Sequence, residues 1–279
     1  SLEQEAFDLV MKVLAPFYDE LKLEQTPLPR GKAKDFEAQF EALLKVKPAA
    51  FSFVFGIPSK AILAKCRQAG IVTAGAASTV DEALALESAG VDCVVASGFE
   101  AGGHRPSFLK SAEDSLVGTM ALVPQLVDKL RIPVIAAGGI ADGRGVAAAL
   151  TLGAEAVQIG TAFLACDESG ASDFHRQLLF SDEAKNTGLS RAYTGRLARG
   201  IYNKFAVEMK AFEPHFAKYP AQSWIVAPLK AAAIAQGRHD LVALWAGQAA
   251  PLVKHHKAAN LLAALIEETN EIFARYSQN

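Results

Sequence analysis

His104 follows Gly102 and Gly103 directly, at the end of the short apolar run Val91–Ala96. A Val-rich run of that kind predicts a strand buried on both faces of a parallel sheet. Two glycines after it allow positive φ and a close approach of a ligand to the main chain. An imidazole placed there stands above the C-terminal end of its strand, where parallel α/β folds keep their chemistry. It is also the side chain whose ordinary pKa suits proton transfer near neutral pH. A second pattern lies downstream: Gly138-Gly139 after the apolar run Pro133–Ala137, then Gly160-Thr161 after Ala156–Ile159. Glycines directly after two successive strands bring main-chain N–H groups toward an anion with no Cβ in the way, as a bound phosphate needs. Thr161 adds a hydroxyl donor.

The rest of the chain reads as the frame for these residues. From residue 48 onward, apolar strands alternate with amphipathic helices in five β-α units. The strands are 49–55, 71–74, 91–96, 133–137 and 156–160; the helices start near Ser59, Ser78 or Thr79, Leu116 and Val146. That alternation with short connections predicts a parallel α/β architecture. Residues 1–47 read as a helical segment, with Phe7, Val10, Met11, Leu14 and Phe17 at helical spacing. A polar, proline-containing break over 24–34 precedes a second stripe of Phe36, Phe40, Leu43 and Leu44. The expected division is therefore 1–47 helical, 48–165 parallel β/α units carrying the site, and 166–279 mostly helical.

Bulk properties narrow the function class. The 279 residues carry 28 Lys+Arg against 30 Asp+Glu, a net charge of −2, which leaves no electrostatic footprint for nucleic acid or a membrane surface. The opening SLEQEAFDLVMKVL lacks the basic start and apolar core of a secretory signal. Three well-separated cysteines, Cys66, Cys93 and Cys166, read as buried free thiols in a reducing cytoplasm. Arg105 is either an anion clamp or, by the ordinary habit of loop arginines, a solvated residue. Arg191, Arg196 and Arg199 read as helix-capping or inter-helix pairing residues before they read as an anion site. The remaining histidines, at 175, 215, 239, 255 and 256, show no metal-ligand spacing, so no metal is expected.

Longer stretches carry a resemblance. SGFEAGGHRPSF is similar to the Q-G-x-E-A-G-G-H-R-G segment of the nitronate monooxygenase (2-nitropropane dioxygenase) family. PVIAAGGIADGRGVAAALTLGAEAVQIGTAFL resembles its flavin-phosphate segment, and SRAYTGRLARG and LWAGQAA resemble its C-terminal blocks. The resemblance implies a (β/α)8 barrel of the TIM type that binds FMN and uses O2 to oxidise alkyl nitronates or nitroalkanes to carbonyl compounds and nitrite. It implies FMN contacts at Gly102, Gly139, Gln158, Ile159, Gly160 and Thr161, with Ser97, Gly103 and Gly138 beside them, and His104 as catalytic base.

Three departures qualify it. The family's glutamine at the start of the loop is Ser97, and the histidine of its S-F-H-F-G strand is Val54. The family's first three β-α units have no counterpart here, so five of eight strands are expected, with bare edges that favour a homo-oligomer. An FMN-dependent NAD(P)H reductase of the enoyl-thioester or quinone type is the alternative enzyme. A flavin-free remnant is the non-catalytic alternative.

Overall fold

A computed structural model describes residues 4–24, 27–28 and 35–277. Most of the polar break expected over 24–34 thus lies outside the described residues. In chain order the elements begin with helices α1 (Gln4–Glu20) and α2 (Phe36–Val46), strand β1 (Ala50–Phe53), α3 (Lys60–Gln68) and β2 (Val72–Ala77). Next come α4 (Val80–Ser88), β3 (Cys93–Ser97), the two-residue extended piece β4 (Gly103–His104), α5 (Thr119–Val127), β5 (Val134–Ala137) and α6 (Gly143–Thr151). The chain continues with β6 (Ala156–Gln158), α7 (Thr161–Leu164), α8 (Asp173–Leu179), β7 (Thr187–Ser190) and β8 (Ala198–Ile201). It ends with α9 (Lys204–Met209), α10 (Ala221–Ala235) and α11 (Ala258–Ser277).

Strands β1, β2, β3, β5 and β6 form one five-stranded sheet in that order, and every adjacent pair is parallel. The α/β reading with a parallel sheet therefore holds. Local chemistry sets the helix starts: Ser59 caps α3, Thr79 caps α4 and Asp142 caps α6, each side chain accepting from main-chain N–H groups of the first turn.

The two faces of the sheet differ. Val94, Ala96, Val134 and Ala136 pack against Leu63, Leu86, Leu122, Val123 and Leu126 of the helices in one continuous core. Each buried leucine there contributes about 1.5–3 kcal/mol of transfer free energy. The opposite face carries Ala74, Ala76, Cys93, Val95 and Ala137. Register extends that second face to Ser52, paired with Ala74, and to Ala156 and Gln158, paired with Ile135 and Ala137. Those three outer residues are exposed.

The chain divides into two compact units, and the division differs from the three consecutive segments expected. One unit comprises Asp35–Lys185 and Ala246–Asn279 and holds the sheet; the other comprises Ser1–Lys34 and Asn186–Trp245. Helix α2 belongs to the sheet unit, where Phe40 packs with Phe51, Ile62, Cys66 and Ile71. The last helix also returns to the sheet unit: the Glu268 carboxylate accepts from Gly143 N–H at the start of α6. In the second unit, β7 and β8 make an antiparallel hairpin, and Phe17 of α1 packs edge-on against Phe205 of α9 at 5.0 Å. The hairpin adds two short strands to a stretch after residue 166 whose other elements are helices.

Candidate active site

The strand order places β3, β5 and β6 side by side, so the loops that leave their C-terminal ends are neighbours. Those loops carry His104, Gly138-Gly139 and Gly160-Thr161. Gly160 sits at the start of α7, and nothing lies within 4 Å of the position a Cβ would take there. Gly139 has φ +75° and Gly103 φ +76°, both left-handed, and the Gly103 Cβ position likewise faces open space. Gln158 is exposed and Ile159 half-buried.

Gly102 and Gly138 serve the protein's own packing. A Cβ at Gly102 would meet Gly247 N at 2.6 Å and the Ala246 carbonyl carbon at 2.7 Å. At Gly138 (φ +104°) it would meet Ala101 N at 2.9 Å. The segment after residue 245 is fastened at the same place. Gln248 N–H donates to the Glu100 carbonyl at 2.9 Å, and Gly247 N–H donates to Thr161 Oγ1 at 2.9 Å. Ser97 ends β3 and is buried.

The loop around His104 is held by charged groups that sequence reasoning missed or misplaced. Arg105, expected to be solvated, is fully buried. Its Nη1 and Nη2 donate to the carbonyls of Gly98 and Ser97, each at 2.7 Å, so the guanidinium folds the loop back on the end of its own strand. Glu82 of α4 is equally buried and accepts from the main-chain N–H of Ser78 (2.7 Å), Phe108 and Leu109 (3.1 Å). One carboxylate thereby ties the end of β2 to the segment just past His104. Glu100 accepts from Thr119 N–H at the start of α5, and Thr119 Oγ1 lies 2.9 Å from both Glu100 Oε2 and the Gly138 carbonyl. Paired charged hydrogen bonds of this kind, sheltered from water, hold geometry tightly. Thr79-Val80-Asp81-Glu82 has the spacing of a capping box, which was the available signal for Glu82.

The imidazole of His104 is half-buried, and its ring stands nearly perpendicular to that of Phe55, with centroids 5.9 Å apart. Val54, next to Phe55, is 52% exposed. At the foot of α6, burial opposes ionisation of Asp142. The Arg144 guanidinium and the Gly145 N–H outweigh it and hold the carboxyl below its ordinary range. Burial raises the thiols of Cys66, Cys93 and Cys166, all of them free. Arg191 and Arg199 bind hairpin groups: Arg191 Nη1 donates to Gly195 O at 3.2 Å, and Arg199, buried in β8, donates to Thr187 Oγ1 at 3.4 Å.

Comparison with known proteins places this arrangement. The family model described as nitronate monooxygenase matches residues 10–268. The chain belongs to the nitronate monooxygenase family. A probable nitronate monooxygenase of Staphylococcus aureus (strain Newman) is 41% identical over 260 residues, covering 93% of this chain and 73% of the relative. The crystal structure of a nitroalkane oxidase from Streptomyces ansochromogenes superposes with a TM-score of 0.91 at 37% identity, covering all of this chain and 80% of that one. FabK from Thermotoga maritima is more distant, with a TM-score of 0.73 at 28% identity over 88% of this chain and 76% of that one. The protein is thus an oxidoreductase of a family that oxidises nitro compounds. Among the described residues no helix is long and apolar enough to cross a membrane.

Proposed function

We propose that this nitronate monooxygenase family member binds FMN at the loops after β3, β5 and β6 and uses O2 to oxidise alkyl nitronates, and nitroalkanes after deprotonation, to carbonyl compounds and nitrite. The observation that carries the reading is the adjacency of those three strands. It gathers an imidazole and two glycine turns at one end of the sheet. The Gly160 turn fits a phosphate: nothing lies within 4 Å of its Cβ position, Thr161 Oγ1 retains a proton to donate while it accepts from Gly247, and Gly139 supplies a left-handed turn one strand over. Gln158, Ile159, Gly102, Gly103, Gly138 and Ser97 complete the assigned contact set. When bound, FMN supplies the electron-accepting chemistry that no side chain of the protein can.

The protein's own part is to hold substrate and move one proton. A neutral nitroalkane is a weak carbon acid whose anion is delocalised into the nitro group. His104 accepts the α-carbon proton, and the buried Arg105 and Glu82 keep its loop from drifting as charge develops. The sheet supports reading the fold as five consecutive units of a (β/α)8 barrel: one face is packed by helices and the other is lined with small residues. The exposed outer strands favour association with a second copy. Three buried free thiols support a cytoplasmic setting.

Two variants test the assignment. Gly160→Val puts its branches into space that no protein atom occupies, at a backbone conformation any residue adopts, so the fold should persist. The variant should nevertheless purify without the visible flavin absorption expected of the parent. His104→Asn should slow nitroalkane turnover about 10²-fold or more while sparing a pre-formed nitronate, which has already lost its proton. Retained flavin in the first variant, or equal losses on both substrates in the second, would overturn the respective assignment. Anaerobic reduction by NADH at a catalytic rate would favour the reductase instead.

A further inference from the structure

Phe55 has φ +69°, in the left-handed region that a bulky side chain disfavours. Among the described residues two other non-glycine residues share that conformation, Lys22 and Lys47. Both follow helices: Leu23 N–H closes back on the Tyr18 carbonyl beside Lys22, and Lys47 N–H on the Leu43 carbonyl, the usual helix stop. Phe55 lies two residues past the end of β1, where no such stop requires it. Gly56 follows immediately with φ +133°, so a residue free of the penalty stands one position away from where the chain spends a phenylalanine.

The conformation redirects the ring. Along β1, Phe51 and Phe53 point to the helix-bearing side, Phe51 toward Phe40 and Ile62 and Phe53 into the main core. Strand alternation would send Phe55 the same way. The left-handed turn breaks the alternation and brings the ring against the His104 imidazole instead, nearly perpendicular at 5.9 Å. Edge-to-face contact between aromatic rings is directional, so it fixes ring rotation as well as position. Arg105 and Glu82 hold the main chain around His104, and the Phe55 contact acts on its ring.

We propose that Phe55 is a positioning residue for His104, its left-handed backbone serving to set the imidazole at the angle from which it takes the substrate proton. The inference rests on His104 being the base.

The experiment combines kinetics with a measurement that needs no turnover. Phe55→Leu keeps apolar bulk and loses the ring; Phe55→Gly removes the contact while easing the backbone. In the holoenzyme, Phe55→Leu should lower nitroalkane kcat/KM about tenfold and leave the pre-formed nitronate within about twofold. It should also shift the midpoint of the nitroalkane pH profile. In a His104→Asn background the same change should cost nothing further on the nitroalkane. Separately, the His104 imidazole resonances, assigned by their loss in His104→Asn, should move and change their titration midpoint in both Phe55 variants. Phe55→Gly should keep the parent's thermal midpoint or exceed it, because glycine adopts this φ freely. Unmoved His104 resonances, equal losses on both substrates, or a further loss in the His104→Asn background would each overturn the proposal. Moved resonances in a protein that turns over neither substrate would uphold the positioning contact and overturn the proposed reaction.

Discussion

The two faces of the parallel sheet are built from the same strands and have opposite jobs. On one face, Val94, Val134 and Ala136 alternate into a layer of leucines from α3, α4 and α5 that excludes water. On the other, the same strands offer Ala74, Ala76, Cys93, Val95 and Ala137, and the flanking Ser52, Ala156 and Gln158 are exposed. Leucines from the helices fill the first face and supply its stability; the second face has buried central strands and exposed outer ones, and its strands end where His104 and the glycine turns lie. The fold thus separates holding from reacting by the two-residue period of a strand.

Substitutions can break that comparison. The largest effect is expected at Leu122, buried in the helix-face core: Leu122→Ala should cost about 2–5 kcal/mol in denaturant unfolding while a flavin spectrum survives in the folded fraction. A pair of identical changes sharpens the contrast. Ala136→Leu overfills the helix face and should cost about 1–3 kcal/mol. Ala156→Leu, one strand over on the exposed edge of the second face, should stay within about 0.5 kcal/mol by the same measurement. Similar costs at both positions would mean the outer strand of the second face is as closely packed as the helix face.

An effect smaller than those at Leu122 and Ala136 concerns Asp142, whose carboxylate caps α6 below the Gly138-Gly139 turn. Asp142→Ala should cost about 1 kcal/mol at neutral pH. Its folded-state carboxyl is held below the ordinary value of 3.8. The stabilisation is therefore present above that pH and is lost as pH falls through the lower folded value. Thermal midpoints of parent and variant should converge in the acid range below pH 3.8 and stay apart above it.

The helix-face pattern was legible in the sequence because buried parallel strands are short, continuous apolar runs, and all five appear within a few residues of their expected bounds. The first is cut short at Phe53, two residues early, by the left-handed Phe55 that no propensity signals. The β7–β8 hairpin was missed because Thr187–Ser190 and Ala198–Ile201 lack apolar alternation and include Arg199, which a sequence reader assigns to the surface. Arg105 escaped for the same reason. Its partners are the main-chain carbonyls of Ser97 and Gly98, and carbonyls leave no trace in residue identity. His104 and the glycine turns were visible because their chemistry lies in residue type and in position after a strand. Part of what fastens them, Gly247 and Gln248, comes from residues distant along the chain.

That distance has a consequence for the order in which the protein is made. Neither unit is continuous: the sheet unit is left at Lys185 and resumed at Ala246. When the ribosome has finished the last strand of the sheet, Gly102 still lacks the main chain that packs against it, and the Glu100 carbonyl still lacks Gln248. Early synthesis therefore yields the strands, while the reacting end must wait for the closing residues after Trp245. A nascent chain interrupted before that point holds the sequence of every strand and of His104 but not the clasp that shapes their loop.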